Sequence, residues 1–308
     1  MNSSKKLNYD LRPAKFVERK ALLSTLLNVC NHYPGGYQYI GFGGLNFSDF
    51  KLFHKELHIS EMISIEGGSK INKERVQFNS PFSFIRLEYG ISTSVLNRIN
   101  LNKKSIVWLD YDDQLKQFML NDIDLLFRSL PKGSIYLFTC NRELKDEDTG
   151  DIYDKDLFIE KYKDYVPFNL TKKDLSGDKS FTTIRQILLK AIAKSLKSRE
   201  EDHLKFHQLF NFLYNESRGA RMFSFGGVIE ENEFDLSCYN FNDNKFIKTS
   251  EEPFRINLPA ITRKEAELIN TNMEDLEQIY SGKILEKANA EKYLYLYKYL
   301  PNYLDVRY

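Results

Sequence analysis

Residues 37–66, YQYIGFGGLNFSDFKLFHKELHISEMISIE, read as strand, glycine turn, helix, strand and acid in that order. Tyr39 and Ile40 lead into Gly41-Phe42-Gly43-Gly44. Phe47, Phe50, Leu52, Phe53 and Leu57 supply the apolar set of a helix, and Met62 to Ile65 form a second apolar run that ends on Glu66. This is one βαβ unit. Its glycines let the backbone turn tightly and approach a ligand with no Cβ in the way, and the acid some twenty residues on can accept both hydroxyls of a ribose. A dinucleotide fingerprint would need a third glycine where Asn46 stands, so a mononucleoside ligand fits better.

A second stretch points to the same place. Ile106, Val107, Trp108 and Leu109 make a continuous apolar run, as expected of a strand buried on both faces, and it opens into Asp110-Tyr111-Asp112-Asp113. Ligands of open α/β sheets sit beyond the carboxyl ends of the strands, so Asp110 and Tyr111 are expected at the same crevice as the glycine turn and Glu66. Asp110 also suits a helix N-cap. A further strand, SIYLFTCN, ends on Asn141.

On these residues the chain resembles class I S-adenosylmethionine-dependent methyltransferases, and most of all the bacterial O-methyltransferases whose acceptors are uncharacterised. The resemblance covers roughly residues 35–230. It implies a Rossmann-like α/β fold, with a mainly parallel seven-stranded sheet, one antiparallel strand and helices on both faces. It also implies S-adenosylmethionine as cofactor, with Gly41, Phe42, Gly43 and Gly44 cradling the methionine part and Glu66 clamping the ribose. Glu88, near the end of the third strand, would face the adenine. Asp110 would be the base or orienting group and Tyr111 a wall, while Arg12, Lys15 and Asn141 would meet the substrate. Two departures stand out: Tyr39 occupies the position usually held by an acid, and Leu45 that of a third alternate glycine. Metal-dependent relatives of catechol type place oxygen ligands after the fourth and fifth strands. Cys140 precedes Asn141 here, so no metal is expected.

The rest of the sequence bounds these readings. At 308 residues the chain can hold one large α/β domain with appendages: an arm and helix over 1–34, the main domain over 35–245 with an insertion at 142–180, and a helical extension over 246–308 packed on the core. Forty-four basic against forty-three acidic residues give a net charge of +1, without the basic field that concentrates nucleic acid. Three scattered cysteines and the polar start MNSSKKLNYD fit a cytoplasmic protein with no membrane partner. His203 and His207 lie four apart with no third ligand near. The charged insertion reads as a solvated excursion, Thr182 or Thr183 as a helix cap, Gly226-Gly227 as a bulge, and Thr262 with Glu265 as a capping box. The tyrosine-rich tail from Glu291 reads as a docked helix or as a surface for another subunit or protein; base stacking by its tyrosines ranks behind packing. Two other functions share the glycine turn and the acid. One is a methyltransferase fold that binds a nucleoside or a partner without turnover, and the other is an NAD-linked oxidoreductase.

Overall fold

The computed structural model of the protein describes residues 12–67, 71–199, 203–216, 219–274 and 284–301. Tyr9 of the N-terminal arm, Ser217 and Arg218 of the hairpin turn, and the last tail residues lie outside them.

The βαβ unit forms as read: β1 (Gln38–Gly41), α2 (Ser48–Leu57) and β2 (Glu61–Glu66), preceded by α1 (Pro13–His32). Pro13 opens α1, where its missing N–H costs nothing, and the Pro34-Gly35-Gly36 turn follows its end. The chain continues through α3 (Lys73–Asn79), β3 (Ile85–Tyr89), α4 (Ser92–Leu96), β4 (Ser105–Gln114), α5 (Gln117–Ser129) and β5 (Ile135–Asn141). After these come α6 (Lys155–Tyr162), α7 (Lys179–Lys197), β6 (Leu204–Asn215), β7 (Arg221–Glu231), β8 (Phe254–Ile256) and α8 (Arg263–Thr271).

The strands form one eight-stranded sheet in the order β3-β2-β1-β4-β5-β7-β6-β8. Strands β3 to β5 run parallel, and β7 inserts antiparallel between β5 and β6. A dinucleotide-binding sheet has the order 3-2-1-4-5-6 without that reversed hairpin, so the topology disfavours the oxidoreductase reading. The expected seven strands gain an eighth, because the C-terminal extension pairs Phe254 to Ile256 in parallel with Phe212 to Tyr214. The extension is therefore not purely helical.

Period-two alternation distributes the strand side chains between two cores. Ile40, Val107, Leu109, Tyr136 and Phe138 pack with residues of α4, α5 and α7 on one face. Tyr39, Ile106, Trp108, Ile135 and Leu137 pack with residues of α1 and α2 on the other. Gly226 and Gly227 face a register shift between Gln208 and Phe210 of β6, where a Cβ on Gly227 would strike the His207 carbonyl. The irregularity is thus on the partner strand, and the glycines make room for it. The insertion departs from a solvated excursion: it folds α6 and buries Tyr153, Phe158, Tyr162, Leu170 and Leu175 in the first core. Helix α7 starts before both candidate caps, and Thr183 instead donates to the Asp174 carbonyl. The capping box of Thr262 and Glu265 forms at α8. No helix among the described residues is long and apolar enough to cross a membrane.

Candidate active site

A cavity of about 470 Å³ opens beyond the carboxyl ends of β1, β2, β3 and β4. Its wall joins Phe42, Gly43 and Gly44 of the glycine turn to Glu66 and Gly67, to Gly90, Ile91 and Ser92, and to Asp110, Tyr111 and Asp112. A larger depression at the amino ends of β4 and β5 contains Arg128 and Lys132, whose charges are matched by Asp124 at 2.7 Å and Glu231 at 2.5 Å. It shares no residue with the predicted site.

The glycine turn is fixed by packing from below. Phe47 has a left-handed φ of 48° and is fully buried, which presses its ring against Gly43. A Cβ on Gly43 would strike that ring and come within 2.5 Å of Ser64 Oγ. The Gly43 amide donates to Ser64 Oγ at 3.0 Å, and Ser64 donates to Glu66 Oε1 at 2.7 Å. Ser64 and Glu66 share a strand face, as residues two apart must. Glu66 is buried, and burial lifts its pKa to about 7 against hydrogen bonds from Ser64 and the Gly44 and Gly43 amides.

Gly41 is not part of the cavity wall. It is the last residue of β1, opposite Ser64 and Trp108, and a Cβ there would strike the Tyr39 hydroxyl. Glycine at 41 therefore serves the packing of Tyr39, which is buried where the resemblance would place an acid. An acid reaches the cavity by another route. Asp49, in the first turn of α2, and Arg19 of α1 both line it and form a short ion pair, with 6% exposure each.

Asp110 lines the cavity within β4, which runs on to Gln114 through a register shift, so it is not the N-cap of α5. Lys15, expected at the substrate, is instead 1% exposed and donates to Asp110 Oδ1 at 2.8 Å. Tyr111 donates to Asp122 Oδ2 at 2.6 Å, and burial holds its hydroxyl well above the ordinary pKa, so it is a neutral wall. Its ring packs on Phe42 and Phe118 at 5.2 and 5.7 Å. Asp122 also accepts from Ser92 and Thr93, and so ties the start of α4 to the end of β4.

Three predicted residues lie elsewhere. Glu88 is not among the residues that line the cavity and is held in ion pairs with Arg86 at 2.5 Å and Arg98 at 2.9 Å. Arg12 pairs with Glu216 at 3.5 Å. Asn141 accepts from the Glu143 amide at 3.0 Å. Among the described residues no three His, Cys, Asp or Glu side chains gather as for a metal ion.

The sequence reading missed Arg19, Asp49, Ser64, Ser92 and Asp122. Ser64 was readable from its spacing to Glu66, and Arg19 from its position one helical turn after Lys15. Nothing local links Arg19 to Asp49 or Tyr111 to Asp122, which meet only through the tertiary fold.

A family model described as "putative O-methyltransferase" matches residues 7–308. No curated protein matches the chain. Among solved structures, an O-methyltransferase from Bacillus cereus in complex with SAH is 14% identical, with 68% of this chain and 80% of that chain covered at a TM-score of 0.37. A spermidine synthase in complex with the transition state analogue AdoDATO is 10% identical, with 82% and 75% covered at a TM-score of 0.39.

Proposed function

The chain belongs to the family described as "putative O-methyltransferase", and from that premise we propose that it transfers the methyl group of S-adenosylmethionine to an acceptor bound beside Asp110. The observation that carries the site assignment is the convergence of the Gly43-Gly44 turn, buried Glu66 and Asp110 on one cavity.

The donor set fits the cofactor part by part. Glu66, once ionised, offers two oxygens to the ribose diol. Asp49 and Arg19 form an acid and base pair suited to the ammonium and carboxylate of the methionine end, which would explain why Tyr39 is tolerated where an acid was expected. Ile65, Ile91 and Phe118 give apolar surface for the adenine. The bound cofactor supplies an electrophilic methyl group. Asp110 is the group placed to orient the acceptor and receive its proton, and the walls hold the two reactants in line.

Calorimetry with S-adenosylmethionine and S-adenosylhomocysteine tests the reading. Heat of binding with both is expected, and its absence at millimolar ligand ends the proposal. Binding without labelled methyl transfer to any acceptor tried would favour the ligand-sensing alternative. The Arg19 assignment has its own check. Arg19→Met is expected to weaken S-adenosylhomocysteine by roughly 1.5 to 3 kcal/mol, about ten- to 150-fold, and to leave 5′-methylthioadenosine unchanged, because that ligand lacks the amino-acid end. Equal weakening of both ligands would remove Arg19 from this role.

A further inference from the structure

Asp110 shares its cation. The Lys15 ammonium that donates to it at 2.8 Å also lies 2.7 Å from Glu18 Oε2, one helical turn along α1. Lys15 and Glu18 are 1% and 0% exposed, while the Asp110 side chain keeps 15% of its surface and lines the cavity. Behind them Ser224 donates to Glu18, and the ammonium lies 3.3 Å from the Tyr214 hydroxyl and 4.5 Å from the ring centroid of Trp108. Two carboxylates thus share one ammonium, with Lys15 and Glu18 shut away from solvent and Asp110 open to the cavity. With all three groups ionised the cluster carries a net negative charge, which a low-dielectric interior penalises unless a positive charge or a proton balances it.

We propose that Lys15, Glu18 and Asp110 act as one unit, the counter-charge to the sulfonium of S-adenosylmethionine and the store for the proton that the methyl acceptor releases. This rests on the cofactor reading above. As the acceptor attacks, its bond to the methyl carbon forms and the carbon–sulfur bond breaks, with the electron pair left on sulfur. The acceptor proton passes to Asp110. Lys15 then gives one proton to Glu18 and takes the one on Asp110, which leaves Asp110 ionised and Glu18 neutral. The site loses the sulfonium charge and the cluster loses its negative charge in the same turnover, so the buried charge balances before and after.

The surroundings favour that distribution. Burial raises the Glu18 pKa, opposed by Lys15 and assisted by Asp110. Burial pulls Lys15 down, but Asp110 and Glu18 outweigh it and hold the ammonium charged, while the nearby Arg19 and Asp49 act in opposite senses. Arg12 and Glu216 are the next charges around the cluster and act on Asp112 and Tyr214, while Asp112 itself feels Asp110 and Lys15. Glu18 has no exposed surface whereas the Asp110 side chain keeps 15% of its own, so a neutral carboxyl is favoured at Glu18 and the added proton rests there.

The test counts protons. The full chain is titrated with S-adenosylmethionine and with S-adenosylhomocysteine by calorimetry, each in two buffers of unlike ionisation enthalpy near neutral pH. Glu66 also titrates in this range, but both ligands carry the same ribose, so its contribution cancels in the difference. Binding of S-adenosylhomocysteine is expected to take up about one proton more per site than binding of S-adenosylmethionine. Glu18→Gln and Asp110→Asn are each expected to abolish that difference. Equal uptake by the wild-type protein overturns the inference even if neither variant folds, and so does a difference that survives in both variants. Equal uptake with both ligands bound leaves the cofactor reading standing. No heat with either ligand sinks both.

Discussion

Glu66→Gln is expected to weaken S-adenosylhomocysteine binding by about 1.5 to 3 kcal/mol, roughly ten- to 150-fold, and at the same time to stabilise the ligand-free protein above neutral pH. The first effect follows from replacing a charged double acceptor by an amide that can accept only through one oxygen. The second follows from linkage. Burial lifts Glu66 to about 7, above the ordinary carboxylate value near 4.3, so the folded state holds this proton more tightly than the unfolded chain. The resulting stabilisation is fully present below the unfolded pKa and is lost as pH rises through about 7, up to about 3 kcal/mol in all. A glutamine has no proton to lose and should erase that slope. Melting curves of both proteins between pH 5 and 8 read the second effect, and calorimetry at pH 8 reads the first. In the wild-type protein, affinity for the ligand should fall as pH drops below about 7, approaching tenfold per pH unit, because the ribose needs the ionised carboxylate. A variant that loses stability along with affinity would mark Glu66 as a structural residue instead. The predicted opposition, stability gained where binding is lost, is what a buried charge kept for a ligand should show.

The same residue shows why much of this molecule was legible without coordinates. Glu66, Gly43, Gly44, Asp110 and Tyr111 sit at ends of strands whose identity the apolar runs betray, and the parallel topology takes all those ends to one edge of the sheet. Local pattern fixed which end of each strand was polar, and that sufficed for the crevice. Glu88 failed by the same logic. It does close a strand, but β3 is at the sheet edge, where Arg86 and Arg98 reach it and hold it among surface charges. Lys15 failed for the opposite reason. A lysine in the first turn of a helix reads as free to meet a substrate, and only the packing of α1 against the sheet encloses it with Asp110 and Glu18. Packing also sets where β3 begins: it starts at Ile85, and just before it the rings of Phe82 and Phe84 stack 5.1 Å apart beside His54. Long-range pairs such as Arg19 with Asp49 have no period along the sequence, so no reading of it could have joined them.

Asp122→Ala should cost about 3 kcal/mol of stability and also loosen the cavity, although its carboxylate is not among the residues that line it. From α5 it accepts hydroxyl donors on two other elements: Ser92 and Thr93 at the start of α4, and Tyr111 at the end of β4. Ser92 and Tyr111 face the ligand space, so the carboxylate sets the distance between two walls through side chains it holds from behind. Removing it strands these hydroxyls in a site that is largely or wholly buried, each at a cost of roughly 1 to 3 kcal/mol less whatever rearrangement recovers. Tyr111→Phe removes a single donor from the set and should cost about 1 kcal/mol, with little change in ligand affinity, since the ring and its contacts with Phe42 and Phe118 remain. The double variant should lose less than the sum of the two, because Tyr111→Phe takes away one of the hydroxyls that Asp122→Ala would orphan. Denaturant unfolding of the four proteins measures this coupling, and calorimetry with S-adenosylhomocysteine measures the effect on the walls. Additive stability losses would mean that Asp122 and Tyr111 do not act together. An Asp122→Ala protein that melts early yet binds at wild-type strength would show that the cavity keeps its shape without this brace, and that α4 is positioned by the apolar packing of Val95 and Leu96 alone.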